Sequence, residues 1–341
     1  MESHGLAFYH DPPLWVGMSA VHPTRGMADL ATLRDVVFED DLPIGLKVTV
    51  TREGIFSFSY AKNEDEAALS WNVAYAQLSE ADVDVILFRT QIMNSFLAFL
   101  YSNHLRLHEI DLTWMLVTPD LVISAKDLQQ PGLSYAPQRV KHLIGSSFAS
   151  TYNRLPFAPT FDNRIIDRLA VLPLDSIKAA TEDLTRLIKN YPKDGTLLVD
   201  LYLRAGKAYQ NSNYSAAVIT SWAITEKLLY ELWIKYLSDN KQREEVAFID
   251  GARNKRLRDY RTFTAAVVAE LLSFAGYIDY DLYSSLSLVR KSRNDWIHSP
   301  TTSLSRENAV RSLKVCERML QNVRDITISG TRLVSVYLHF T

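Results

Sequence analysis

Asn213-Tyr214-Ser215-Ala216-Ala217-Val218 opens a stretch that runs to Leu237 and carries Val218, Trp222, Ile224, Leu228, Leu229, Leu232 and Ile234 as its apolar positions. Residues recurring at this spacing form a broad apolar stripe on a helix, suited to the centre of a bundle. Shorter helices separated by breakers are predicted on both sides. Before it come Ser176 to Asn190, ended by Tyr191-Pro192-Lys193-Asp194-Gly195, and Thr196 to Tyr209. After it come Thr262 to Ala275, Asp281 to His298 and Ser305 to Asp325, with Ser299-Pro300 as a stop between the last two. Ser238 to Arg261 reads as a polar, basic connecting segment, and the tail from Ile326 to Phe340 alternates as a strand would.

Upstream of Leu174 the segments are short and the pattern changes often. Leu46 to Thr51 and Ile55 to Tyr60 alternate apolar and polar around Arg52-Glu53-Gly54, as in a β-hairpin. Trp114 to Ile123, interrupted at Thr118-Pro119-Asp120, predicts a second strand pair. Between them, Ser79-Glu80-Ala81-Asp82 offers a Ser cap and an acidic first turn for a long helix reaching about His108. The expected fold class is α+β in two domains. Residues 1–175 form a mixed α/β domain, residues 176–325 an all-α bundle, and residues 326–341 a tail.

Composition narrows the function. With 47% apolar and 22% charged residues over 341 positions, the chain can bury a core in each domain. Its single cysteine, Cys316, excludes an intramolecular disulfide and a Cys-rich zinc site, and suits a reducing cytoplasm. Met1-Glu2-Ser3-His4 does not begin a secretory signal, and Ile92 to Tyr101 is too short for a membrane span, so a cytoplasmic protein with no membrane partner is expected. Neither G-x-x-x-x-G-K-[ST] nor G-x-G-x-x-G occurs. The charge is uneven: residues 1–175 hold 13 Lys+Arg against 21 Asp+Glu, net −8, and residues 176–341 hold 24 against 18, net +6. Positive potential steers phosphates, so the second half is the expected anion-binding half.

The chemistry-bearing stretch is Leu288-Val289-Arg290-Lys291-Ser292-Arg293-Asn294-Asp295-Trp296-Ile297-His298, an amphipathic helix ending in an Arg-Asn pair with His after three more residues. This resembles the R-x4-6-H motif of HEPN domains, and the resemblance covers about residues 176–325. It implies a four- or five-helix bundle and a metal-independent endoribonuclease with Arg293, Asn294 and His298 as catalytic residues. It further implies a homodimer whose two motifs share one cleft, a prokaryotic toxin or anti-phage defence role, and a sensor or regulatory role for residues 1–175. That domain would receive a regulatory protein or a phage-derived trigger. A non-catalytic bundle that serves dimerisation or RNA binding is the alternative.

At about 100° per residue, Lys291, Asn294 and His298 share one stripe, with Arg290 beside it, while Arg293 lies with Leu286, Val289 and Trp296 on the packed face. A guanidinium there needs a partner, and Glu226 on the longest helix is one candidate and a second subunit the other. The residue types suit RNA cleavage. Histidine exchanges a proton near neutrality, arginine presents a fork of donors to a phosphorane, and the 2′-hydroxyl supplies the nucleophile. No metal or other cofactor is expected. Arg253, Lys255, Arg256 and Arg258, with Arg290, are the expected RNA-binding residues; the first four belong to a segment that, with Arg261, packs five cations into nine residues, with Tyr260 available to stack on a base. His104 and His108, four apart, have a zinc-compatible spacing but no third ligand.

Overall fold

The computed structural model describes residues 4–11, 14–18, 35–60, 80–110, 112–124, 170–240, 251–299 and 303–330. Ser79, Pro300 and residues 331–341, on which parts of the reading above fall, lie outside these. The architecture is α+β: a small antiparallel sheet in the N-terminal part is followed by helices. The chain divides into two compact units, Met1–Asp200 and Leu201–Thr341. The change of texture at Leu174 and the division of the chain after Asp200 are therefore different places.

In the first unit the strands are β1 (His4–Tyr9), β2 (Trp15–Val16), β3 (Val36–Asp41), β4 (Leu46–Thr51), β5 (Ile55–Tyr60), β6 (Ile123–Ser124) and β7 (Val171–Leu172). Five of them form one sheet in the order β3-β4-β5-β1-β6, and β2 pairs in parallel with β7. The hairpin is as the alternation predicts, with Val48 opposite Phe58 and Val50 opposite Phe56. Its turn needs Gly54, whose φ is +82° and whose missing Cβ would come within 3.0 Å of the Leu14 carbonyl oxygen. Phe8 stacks on Phe56 at 5.3 Å, and Phe96 of helix α1 (Glu80–His108) closes on Phe56 and Phe58 at 5.7 and 5.6 Å.

Helix α1 is buried on all sides over Ile92 to Leu105, so the polar residues in that stretch need internal partners. Asn94 accepts from the Val117 N–H at 2.8 Å and donates to the Val117 carbonyl and to Asp200 at 3.0 and 2.6 Å. Ser95 Oγ donates to the Thr196 carbonyl at 3.0 Å, and the Met115 N–H donates to the Tyr101 hydroxyl at 2.9 Å. These bonds correct the strand pair expected over Trp114 to Ile123. Backbone groups that a ladder would use are taken by α1 side chains, Pro119–Leu121 turns as a 3-10 helix, and only β6 remains.

Helix α2 (Leu174–Asn190) packs on α1, where Asp183 accepts from Asn103 at 2.7 Å and Ser176 bonds His104 Nδ1 at 3.1 Å. Helix α3 (Gly195–Gln210) continues across the division of the chain. His104 is 2% exposed, and burial, with His108 beside it, lowers its pKa to about 4. Released on unfolding, the same ring titrates at about 6.5. The unfolded chain therefore binds more protons between these values, and stability falls as pH drops from about 6.5 towards 4. Asp175, which His108 holds below the usual carboxylate range, loses its contribution only at lower pH. Melting temperatures should drop by a few degrees across that window, and less in His104→Gln. An equal slope in the variant would assign the pH dependence elsewhere.

The second unit contains α4 (Tyr214–Asp239), α5 (Gly251–Leu257), α6 (Ala265–Phe274), α7 (Tyr280–His298) and α8 (Arg306–Arg324). Helix α4 is central: α6, α7 and α8 all pack against it. Its N-cap is Asn213, which accepts from the Ala216 N–H at 3.2 Å, and all the stripe positions named above are buried except Ile234, which is half-buried. Close approach to α8 rests on small residues. Ala217 and Val218 meet Ala309, and the Ser221 and Ser312 hydroxyls bond at 2.7 Å. Arg324 adds a bidentate pair to Glu231 at 2.7 and 2.8 Å.

Two local expectations change. The polar connecting segment contains a helix, α5, and residues 326–330 form no strand. Instead Ile326 and Ile328 are buried, and the Gly330 N–H donates to the Tyr202 hydroxyl and to Glu317, each at 3.0 Å. Among the described residues, no helix is long and apolar enough to cross a membrane.

Candidate functional site

Helix α7 is started by Asp279, whose carboxylate accepts from the Leu282 N–H at 2.8 Å and pairs with Arg318 at 2.7 Å. Leu282, Leu286 and Val289 are its buried face. The helix ends at His298, with the Ser299 N–H bonded to the Asp295 carbonyl at 3.0 Å. His298 is exposed in the last turn, where a cationic ring is favoured by the helix dipole. Lys291 is also exposed and Asn294 is half-buried, so the stripe they share with His298 opens to solvent at the helix end.

Arg293 is half-buried, and its Nη1 donates to the Asn294 side-chain oxygen at 2.9 Å. The expected pair with Glu226 is corrected: among the described residues no hydrogen bond or ion pair joins them. Glu226 is exposed and lines a groove with Thr264 and Ala265 at the start of α6. A half-exposed guanidinium keeps part of its hydration, so one amide oxygen suffices where a fully buried charge would demand a carboxylate. Arg290 faces a different place, a cavity of about 70 Å³ that it lines with Trp222 and Leu286.

A contact absent from the sequence reading holds the motif in place. Asn308, which with Ser305 forms the capping box of α8, donates from Nδ2 to Ser292 Oγ at 2.9 Å. The start of α8 is thereby fixed against the turn of α7 that bears Arg293. The signal was legible as a Ser-x-x-Asn start before an apolar run, although its partner on α7 was not.

The basic segment is an ordered helix and turn rather than a loose connection. Arg253 is half-buried, whereas Lys255, Arg256, Arg258 and Arg261 are exposed. Arg258 Nε donates to Asn254 at 3.1 Å, and the Arg258 carbonyl accepts from the Tyr230 hydroxyl at 2.9 Å. Phe263, which the sequence reading passed over, stacks on Trp233 at 5.4 Å. Its position before the Thr264 N-cap, with Val268 at the fourth helical position, is a hydrophobic staple that could have been read from the sequence.

The remaining candidates have structural partners. His108 Nε2 lies 2.9 Å from Asp175, and the rings of His104 and His108 are 5.0 Å apart. Cys316 is fully buried, and burial pushes its thiol well above the usual range, which removes it as a nucleophile. Among the described residues, no group of three His, Cys, Asp or Glu is arranged to hold a metal ion. Comparison of the chain with protein-family models, with curated proteins and with solved structures finds no match to any of them.

Proposed function

We propose that the bundle expected over residues 176–325 is a metal-independent endoribonuclease of the HEPN type, acting as a homodimer in a prokaryotic toxin or anti-phage defence system. The observation that supports this reading best is the arrangement at the end of α7. His298 is open to solvent in the last turn, Asn294 lies one turn earlier on the same stripe, and the Arg293 guanidinium is oriented by Asn294 at 2.9 Å. In the proposed reaction His298 takes the proton of the RNA 2′-hydroxyl as that oxygen bonds to phosphorus. The bond from phosphorus to the 5′-oxygen breaks, and the leaving oxygen takes a proton from the partner subunit's His298 or from water. Arg293 offsets the added charge on the phosphorane, with Lys291 on the His298 stripe as a supporting cation. The first unit would then act as the sensor or regulatory element.

Incubating the full-length protein with total RNA in excess EDTA should yield fragments ending in 2′,3′-cyclic phosphate. Cleavage that requires a divalent metal, or products with 3′-hydroxyl ends, would refute the mechanism. A second reading, a bundle used for dimerisation or RNA binding only, is favoured by the half-burial of Arg293 beside the Leu286 and Val289 face, which also suits an architectural role. RNA that survives intact under all conditions, bound to a stable dimer, would select it.

A further inference from the structure

Between α4 and the start of α6 lies a groove of about 380 Å³ that the proposed cleavage chemistry does not use. Three aromatic residues line it, Tyr230, Tyr260 and Phe263, together with the buried Leu229 and Val268 and the exposed Glu226. Its wall is built. Phe263 is stacked on Trp233, Trp233 Nε1 donates to the Leu257 carbonyl at 2.8 Å, and Tyr230 holds the Arg258 carbonyl. Asp259 fixes the turn by accepting from the Arg261 N–H and the Thr262 hydroxyl at 3.1 and 3.0 Å. On this fixed turn the Tyr260 side chain is left 70% exposed. A large ring held open beside an apolar groove is a stacking platform for a flat, partly polar group.

The geometry points to single-stranded RNA as the occupant, with one guanine base in the groove, stacked on Tyr260, and its phosphates along Lys255, Arg256, Arg258 and Arg261. The choice of RNA rests on the ribonuclease reading above; the groove, the base and its identity rest on the residues here. The volume falls within the range of small-ligand sites and can hold a base with its sugar. Glu226 supplies the selection. An ionised carboxylate only accepts hydrogen bonds, and guanine alone presents two adjacent donors, N1–H and N2–H, on one edge. Lys227, which also lines the groove, pairs with Glu231 at 3.3 Å. Four exposed cations within seven residues exceed what one phosphate uses, which favours a strand over a free nucleotide. Entry requires an unstacked base, hence a single strand.

Binding of 2′-O-methyl oligonucleotides, which lack the attacking hydroxyl, tests this on the unaltered full-length chain by fluorescence anisotropy. A uridine decamer with one central guanosine should bind about tenfold more tightly than the same decamer with adenosine, and inosine, which lacks the 2-amino group, should fall between them. Tyr260→Ala should weaken the guanosine decamer about tenfold. Glu226→Gln should erase the preference for guanosine over adenosine, and both variants should melt as the unaltered chain does, since both side chains are exposed. Equal affinity for the two decamers, or a Tyr260→Ala protein with full affinity, would overturn the proposal. Guanosine monophosphate binding as tightly as the decamer would overturn the assignment to a strand. Because the readout is binding without cleavage, a protein that prefers guanosine but never cuts RNA overturns only the ribonuclease reading. A protein that cuts RNA with no such preference overturns only the groove.

Discussion

Full-length protein carrying His298→Ala should cleave RNA at least a hundredfold more slowly than the unaltered chain while melting at nearly the same temperature. A positioned acid or base contributes roughly 10²- to 10⁴-fold, and His298 is the last residue of α7. Its exposure means that truncation opens no cavity, so the stability cost is limited to a dipole interaction of about 0.3–1 kcal/mol. Arg293→Ala should cost a similar factor of roughly 10² to 10³ through loss of charge on the phosphorane. Arg293→Lys should recover little, because it keeps the charge and loses the planar fork that Asn294 orients. Since no bond joins Arg293 to Glu226 among the described residues, Arg293→Ala leaves no carboxylate stranded and should remain folded. An active His298→Ala enzyme would end the catalytic assignment, and Arg293→Lys at full rate would remove the fork from it.

Asn94→Leu should destabilise the first unit by about 2–6 kcal/mol, from the two Val117 backbone groups it leaves unpaired, a large part of total stabilities of roughly 5–15 kcal/mol. Leucine has as many side-chain heavy atoms as asparagine but carries two methyl groups in place of the amide, so crowding in this buried site adds to the loss of hydrogen bonds. Asn94 is fully buried, and its amide serves the Val117 N–H, the Val117 carbonyl and Asp200 at once. Each buried group left without a partner costs about 1–3 kcal/mol. Denaturant melts monitored through Trp114, which stacks on Tyr101 of the same helix, would report the loss. A shift below about 1 kcal/mol would mean that other groups or water take over these bonds.

The hairpin was legible because its alternation has a period of two and its turn needs a residue free to adopt positive φ, and Gly54 satisfies that at φ +82°. The helices of the second unit were legible from their apolar spacing and caps, Asn213 and Ser305 among them. The strand pair expected at Trp114 to Ile123 was not, since its apolar spacing says nothing of a distant Asn94 that takes both backbone groups of Val117.

For the candidate site, local order settled that Arg293, Asn294 and His298 come at the end of one helix and which of them share a stripe, because helix geometry is fixed over so short a range. Partners across helices are set by packing, and there the sequence reading erred over Glu226. That carboxylate is exposed on α4 and lines the groove with Tyr260 and Phe263. The bond from Asn308 to Ser292 was hidden for the same reason. Periodicity by itself determined the hairpin and the longer helices, though not α5, and chain order placed the motif residues; the folded chain decided which polar groups meet, because a side chain finds its partner through space and the spacing along the chain carries no record of that distance.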